Sequence, residues 1–351
     1  MTEVLLKELS NSDIDWMTTI GHQKEIPTGT VLLAPGEPME ALHVLIDGRL
    51  SICTPAQGRI MEKEILQLSS GEVVGEVTLA GHHSSLVTVK TLEKSLVLSI
   101  ERSQLAAKLQ QDVSFAAHFY QAIAILLSNR LRTIDSLSGS TELASNSEQI
   151  LKKVLFVLGQ LNDSDIDWML RTGSKEQVAA GTVLIHQGRP VDALHLLLNG
   201  AMTVSICHAP ISPLYRTFVE KKCESGTVKQ ELARLSSGEL VGEVSFLDNQ
   251  YASAFVTCLE DCQILSLSRS QLVAKLEMDV GFAARFYRAI AAIVEDRLRS
   301  AIVRLTYGKR PQNSNHMLDA EIEEDEIELG ILENTDIAGA RFDWILRRFR
   351  E

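Results

Sequence analysis

Apolar residues fall at two different spacings along this chain, and each arrangement occurs twice. Leu5, Leu6 and Leu9 make the stripe of a short opening helix, and Val154, Leu155, Leu158 and Leu161 make another. Short apolar or alternating runs punctuated by glycine follow. The clearest strands among them are Thr30–Leu33, Ala41–Ile46, Leu50–Cys53 and Leu96–Ile100. Many short strands at roughly ten-residue spacing predict a barrel or jelly roll. Long amphipathic helices are then predicted over Ser114–Thr133 and Gly281–Val303. In the first, Phe115, Phe119, Ala122, Ile123, Leu126 and Leu127 recur near helical spacing.

The repetition extends to the letters. LSNSDIDWM at Leu9–Met17 returns as LNDSDIDWM at Leu161–Met169, 152 positions on. LSSGEVVGEV at Leu68–Val77 returns as LSSGELVGEV at Leu235–Val244, 167 positions on. The second copy therefore holds an insertion of about fifteen residues between Cys207 and Glu231, read as an enlarged hairpin loop. Solenoid repeats run roughly 20–50 residues, so this longer period marks duplication of a whole domain. The Ser-rich stretch from Asp135 reads as a linker. The expected organisation is a first domain over 1–134, a linker over 135–148, a second domain over 149–305 and a tail over 306–351. The fold class is mainly β with flanking helices: two tandem jelly-roll β-rolls, each with an opening helix and a long closing helix.

Composition narrows the function. The 351 residues carry a net charge of −12, which opposes a general affinity for DNA, RNA or anionic lipid. No apolar stretch nears the roughly 20 residues that a bilayer needs, and the first residues mix Glu, Lys and Asp, unlike a signal peptide. Five cysteines, odd in number and unequally shared, argue against a disulfide framework and for a reducing cytoplasm. Cys258 and Cys262 lack the paired C-x-x-C spacing of a zinc site, so no metal is expected. No G-x-S-x-G, Walker loop or H-E-x-x-H occurs, so no catalytic residues and no enzyme activity are expected.

The run GTVLIHQGRPVDALHLLLNGAMTV resembles the opening β-roll of the cyclic-nucleotide-binding family, which includes the bacterial catabolite activator protein and the regulatory subunits of cyclic-AMP-dependent kinase. Gly29, Gly36, Gly48 and Gly71, with Gly181, Gly188, Gly200 and Gly238, sit where that family turns its strands. The resemblance implies phosphate-binding cassettes at Gly75-Glu76-Val77 and Gly242-Glu243-Val244. There, backbone N–H groups would face a cyclic phosphate and the Glu would accept a ribose hydroxyl. Family members carry an Arg ten residues past the cassette Gly, paired with the phosphate. Here that position is Ser85 in the first copy and Ala252 in the second, with neighbours Ser84 and Ser253. Losing such a pair weakens a ligand by roughly 10–100-fold. His82, His83, Ser84 and Ser85 make the first site the better of the two. No cofactor is expected, a cyclic nucleotide being the one ligand in question.

No helix-turn-helix fits the remaining tail. It turns acidic and then presents Phe342, Ile345, Leu346 and Phe349 on one helical face, flanked by Trp344 and by Arg341, Arg347, Arg348 and Arg350. Such a helix docks on a protein partner, on its own domains or on a membrane surface. The wide apolar faces of the closing helices predict helix–helix contact, within the chain or as a homo-oligomer. Two functions follow. One is a non-enzymatic adaptor or scaffold with degenerate cassettes, acting by protein–protein interaction. The other is a regulator responsive to a cyclic nucleotide or related ligand.

Overall fold

The computed structural model describes residues 4–37, 40–54, 62–76, 85–137, 158–207, 230–307 and 339–348. The first repeat opens with α1 (Val4–Glu8) and α2 (Asn11–Ile20). The recurring S-D-I-D letters explain where α2 starts. Ser10 accepts from the Asp13 N–H, and the Asp13 carboxylate accepts from the Ser10 N–H, a reciprocal cap. Asn162 and Asp165 repeat it at the start of α5 (Asp163–Thr172). Leu5 and Leu9 are buried, as the opening stripe requires, but Leu6 is exposed and does not belong to it.

Eight strands form the first roll: β1 (His22–Ile26), β2 (Val31–Leu33), β3 (Ala41–Asp47), β4 (Arg49–Thr54), β5 (Lys63–Ser69), β6 (Val73–Val74), β7 (Thr88–Thr91) and β8 (Ser95–Glu101). They build two four-stranded antiparallel sheets, ordered β1-β8-β3-β6 and β2-β7-β4-β5. Leu42 and Val44 of β3 share one buried face with Leu98 and Ile100 of β8, while Leu45 and Val97 are buried on the other, so burial sets the register. His43 lies opposite Ser99, with Nδ1 and Oγ 2.8 Å apart. Between β3 and β4 the chain turns at Gly48, whose φ is 100°; an added Cβ would come within 2.4 Å of the Ser95 hydroxyl.

The second roll has the same plan: β9 (Ser174–Val178), β10 (Val183–Ile185), β11 (Ala193–Asn199), β12 (Ala201–Ile206), β13 (Gln230–Ser236), β14 (Leu240–Val241), β15 (Phe255–Cys258) and β16 (Cys262–Ser268). The sheets run β9-β16-β11-β14 and β10-β15-β12-β13. His195 and Ser266 reproduce the His43–Ser99 contact at 2.9 Å. The tryptophans of the repeated motif are equivalent too: Lys108 lies over Trp16 and Lys275 over Trp168. Ile185, Leu197, Met202, Leu235, Val256 and Ile264 make the core. Cys53, Cys258 and Cys262 are buried free thiols. Cys207 is disulfide-bonded, a departure from the cysteine reading above.

After the first roll come α3 (Arg102–Gln111) and the closing helix α4 (Val113–Leu137); after the second come α6 (Glu243–Asp248, within the roll), α7 (Arg269–Met278) and the closing helix α8 (Val280–Tyr307). Both closing helices run a few residues beyond the sequence limits. The compact units do not follow the repeat boundaries. One comprises Met1–Leu137 with Met278–Thr306, the other Ser138–Glu277 with Tyr307–Glu351. The cause is the pairing of α8 with α4. Arg304 donates to Asp135 at 3.0 Å, and the Arg288 guanidinium lies 6.0 Å from the Tyr120 ring centre. Those contacts advance together along both helices, so the two run parallel. No helix among the described residues is long and apolar enough to cross a membrane.

Candidate ligand site

In the first unit β6 ends at Gly75, whose φ of 106° lies in the left-handed region that favours glycine. The turn it permits sends Glu76 into the interior, where the residue is 2% exposed. A carboxylate so placed needs a partner. The partner is Arg130 of α4, whose Nη1 donates to Glu76 while Nη2 donates to the Val73 carbonyl. Arg130 is itself 6% exposed, and its Nε finds no acceptor among the described residues. Removing one member of a buried ion pair costs roughly 3–5 kcal/mol, because the other charge is stranded.

Gly75, Glu76, Ser85 and Arg130 border one cavity of about 660 Å³, counting its open mouth. Leu33, Ile52, Leu66, Val74, Val87 and Val89 give it apolar walls, and Ile134 of α4 continues them. The closing helix α8 completes the wall with Leu298, Arg299 and Ile302. Ser85, the residue at the family's arginine position, does not aim a charge into this space. Its hydroxyl donates to the Val87 carbonyl at 2.9 Å and accepts from the Val87 N–H at 3.2 Å, closing a turn. Glu295 of α8 is 3% exposed. Burial pushes its carboxyl up to about 9; nearby Glu76 and Asp296 push the same way, while Arg299 and Arg102 oppose. Burial also pushes the Arg299 guanidinium below its ordinary value, against Glu295 and Asp296.

The second cassette has the same turn and a different seat. Gly242 has φ 94°, and a Cβ there would lie 3.0 Å from the Ala193 carbonyl oxygen. Glu243 follows it, 1% exposed, as the first residue of α6. Val244 and Ser253 are half-buried. Arg269 holds the short helix by donating to the carbonyls of Ser245 and Phe246, at 3.3 and 2.9 Å. Ala252 is a member of the roll's apolar core, with its N–H on the Arg189 carbonyl. A methyl group thus packs where family members place a cation. Val77, Ser84, His82 and His83 lie outside the described residues, as does Phe349.

In the tail, residues 339–348 form a helix set on the opening segment of the second repeat. Ile345 is 1% exposed, while Phe342, Trp344 and Leu346 are half-buried. Arg341, one of the arginines flanking the apolar face, turns inward. It donates to Asp163 at 2.8 Å and to the carbonyls of Leu158 and Leu161. Among the described residues no cluster of three metal-ligating side chains occurs.

Arg130, Arg299 and Glu295 escaped the sequence reading. A loose signal for the arginines existed: NRLR at 129–132 recurs as DRLR at 296–299, which aligns Arg130 with Arg297 and Arg132 with Arg299.

Comparison with known proteins agrees with the repeat. The sequence model of the cyclic nucleotide-binding domain matches residues 23–112 and 175–279, together more than half of the chain. A cGMP-dependent protein kinase of Drosophila melanogaster is 21% identical over 275 residues, 77% of this chain and 29% of the kinase. The cyclic AMP receptor protein of Thermus thermophilus is 28% identical over 145 residues, 41% of this chain and 58% of that protein. The chain thus spans less than two thirds of the length of either relative. Among solved structures, the regulatory domain of Toxoplasma gondii PKA, co-crystallised with cAMP, is 15% identical. That match covers 78% of this chain and 87% of the other, with a TM-score of 0.29.

Proposed function

Because this chain belongs to the cyclic nucleotide-binding domain family, we propose that it is a non-enzymatic regulatory protein whose first repeat senses a small ligand and whose closing helices carry the response. The observation supporting this is the composition of the cavity wall. Cassette residues Gly75, Glu76 and Ser85 share it with Arg130 and Ile134 of α4 and with Leu298, Arg299 and Ile302 of α8. A ligand shifts a conformational equilibrium only by touching its two states differently. An occupant of this cavity touches the cassette and both helices at once, so its binding energy bears directly on how the helices sit. The second cassette, with Ala252 in the core, acts as structure rather than as a sensor.

The test is calorimetric titration of the full chain with cyclic AMP, cyclic GMP and cyclic dinucleotides. Binding at one site per chain is expected, roughly 10–100-fold weaker than in a domain with the cassette arginine. No heat from any of them at millimolar concentration would remove the sensing role. A second reading, a ligand-independent adaptor or scaffold, is then favoured by the Glu76 carboxylate already being paired from within.

A further inference from the structure

The guanidinium of Arg130 is more than a counter-ion for Glu76. It lines the same cavity as the cassette, it is nine-tenths buried, and among the described residues its Nε has no acceptor. A buried N–H without a partner carries its desolvation cost unreturned, so a group that supplied an acceptor would bind there favourably. The cassette does not compete for that role among the described residues. The Ser85 hydroxyl is held by the backbone of Val87.

We propose that Arg130 is the anion-binding residue of the first site, taking the phosphate of a ribose-phosphate ligand in the place of a cassette arginine. The inference rests on the sensing role above and goes further by fixing the ligand's charge and the residue that reads it. On binding, the Arg130–Glu76 pair is exchanged for two pairs with the ligand: guanidinium to phosphate, and carboxylate to ribose hydroxyl. The planar fork of Arg suits a phosphate better than a point charge does. Arg299 of α8 adds a second positive charge to the same cavity wall, offset in part by Asp296. Glu295 is neutral at pH 7, since its carboxyl titrates at about 9, and adds no opposing charge. Because Arg130 belongs to α4, it can leave Glu76 only if the helix side chain, or the helix, moves.

The test compares cyclic AMP with adenosine, which lacks the phosphate, by titration calorimetry on the full chain. Wild type should bind cyclic AMP at least about tenfold tighter than adenosine. Arg130→Lys, which keeps the charge and loses the fork, should weaken cyclic AMP by about tenfold and leave adenosine nearly unchanged. Arg130→Gln alone strands Glu76 and can fail to fold. The paired change Glu76→Gln with Arg130→Gln keeps a neutral hydrogen-bonded pair of the same shape, and should abolish the preference for cyclic AMP. Cyclic AMP binding to Arg130→Lys or to the paired variant as tightly as to wild type, or more tightly, would make Arg130 a plug and overturn the proposal. Equal affinity of wild type for the two probes would overturn it while leaving the sensing role standing. Silence from both probes at millimolar concentration would overturn the proposal, and silence from cyclic GMP and the cyclic dinucleotides as well would remove the sensing role.

Discussion

Glu295 makes the stability of the first unit depend on pH in a direction opposite to that of a paired carboxylate. Its carboxyl is pushed from 4.5 to about 9, by burial first and then by Glu76 and Asp296, against Arg299 and Arg102. In the unfolded chain the same group ionises near its ordinary value, so folding at neutral pH takes up a proton. Its contribution is fully present below the unfolded pKa and is lost as pH rises through the folded one. The slope between those limits is at most about 1.4 kcal/mol per pH unit. From pH 6 to pH 8 this group alone therefore costs roughly 2–3 kcal/mol. Glu295→Gln keeps the shape and cannot ionise. It should unfold like wild type near pH 5 and be the more stable protein at pH 8. For a unit of this size roughly 2–4 °C accompany each kcal/mol. Matched near pH 5, the two proteins should differ by about 4 kcal/mol at pH 8, a gap of roughly 8–16 °C in scanning calorimetry. Parallel profiles from pH 5 to pH 8 would show that Glu295 is ionised in the folded protein and that the reasoning from burial is wrong.

Two further substitutions probe the second unit. Gly242→Ala forces a left-handed backbone on a residue with a Cβ and crowds the Ala193 carbonyl, so urea unfolding should register a loss of about 1–3 kcal/mol; an unchanged midpoint would mean the turn relaxes freely. Ile345→Ala removes the buried anchor of the tail helix and should cost about 1–2 kcal/mol, less than the roughly 2–5 of a caged isoleucine because the last turns can fray. A melting temperature identical to wild type would show that the helix is released in solution and is open to another binder.

The strands that alternate were legible because one face of each is buried. Leu42 and Val44 are an example, mirrored by Leu194 and Leu196. Strand β1 was not, because four of its five residues are exposed and only pairing with β8 holds it. Of the site, Gly75 and Glu76 could be found from turn chemistry and repetition. Arg130 could not, since a charged residue late in a helix ordinarily reads as solvated. What buries it is a carboxylate far away in sequence, brought beneath α4 by the roll. Arg341 misled for the same reason. It sits on the basic side of an amphipathic pattern, yet carbonyls of the second repeat and Asp163 supply the partners that draw it in.

The placement of α8 gives the chain an order of assembly. The first compact unit needs residues 278–306 to be whole, and the entire second roll lies between its two pieces. During synthesis the first roll can fold early, but the α8 wall of its cavity arrives only after the second roll has left the ribosome. Until then Arg130 and Ile134 on α4 wait for that wall. A fragment ending at the repeat boundary would be caught in that unfinished state, with a ligand site open on one side. Each complete ligand site therefore certifies that the whole chain behind it has been made.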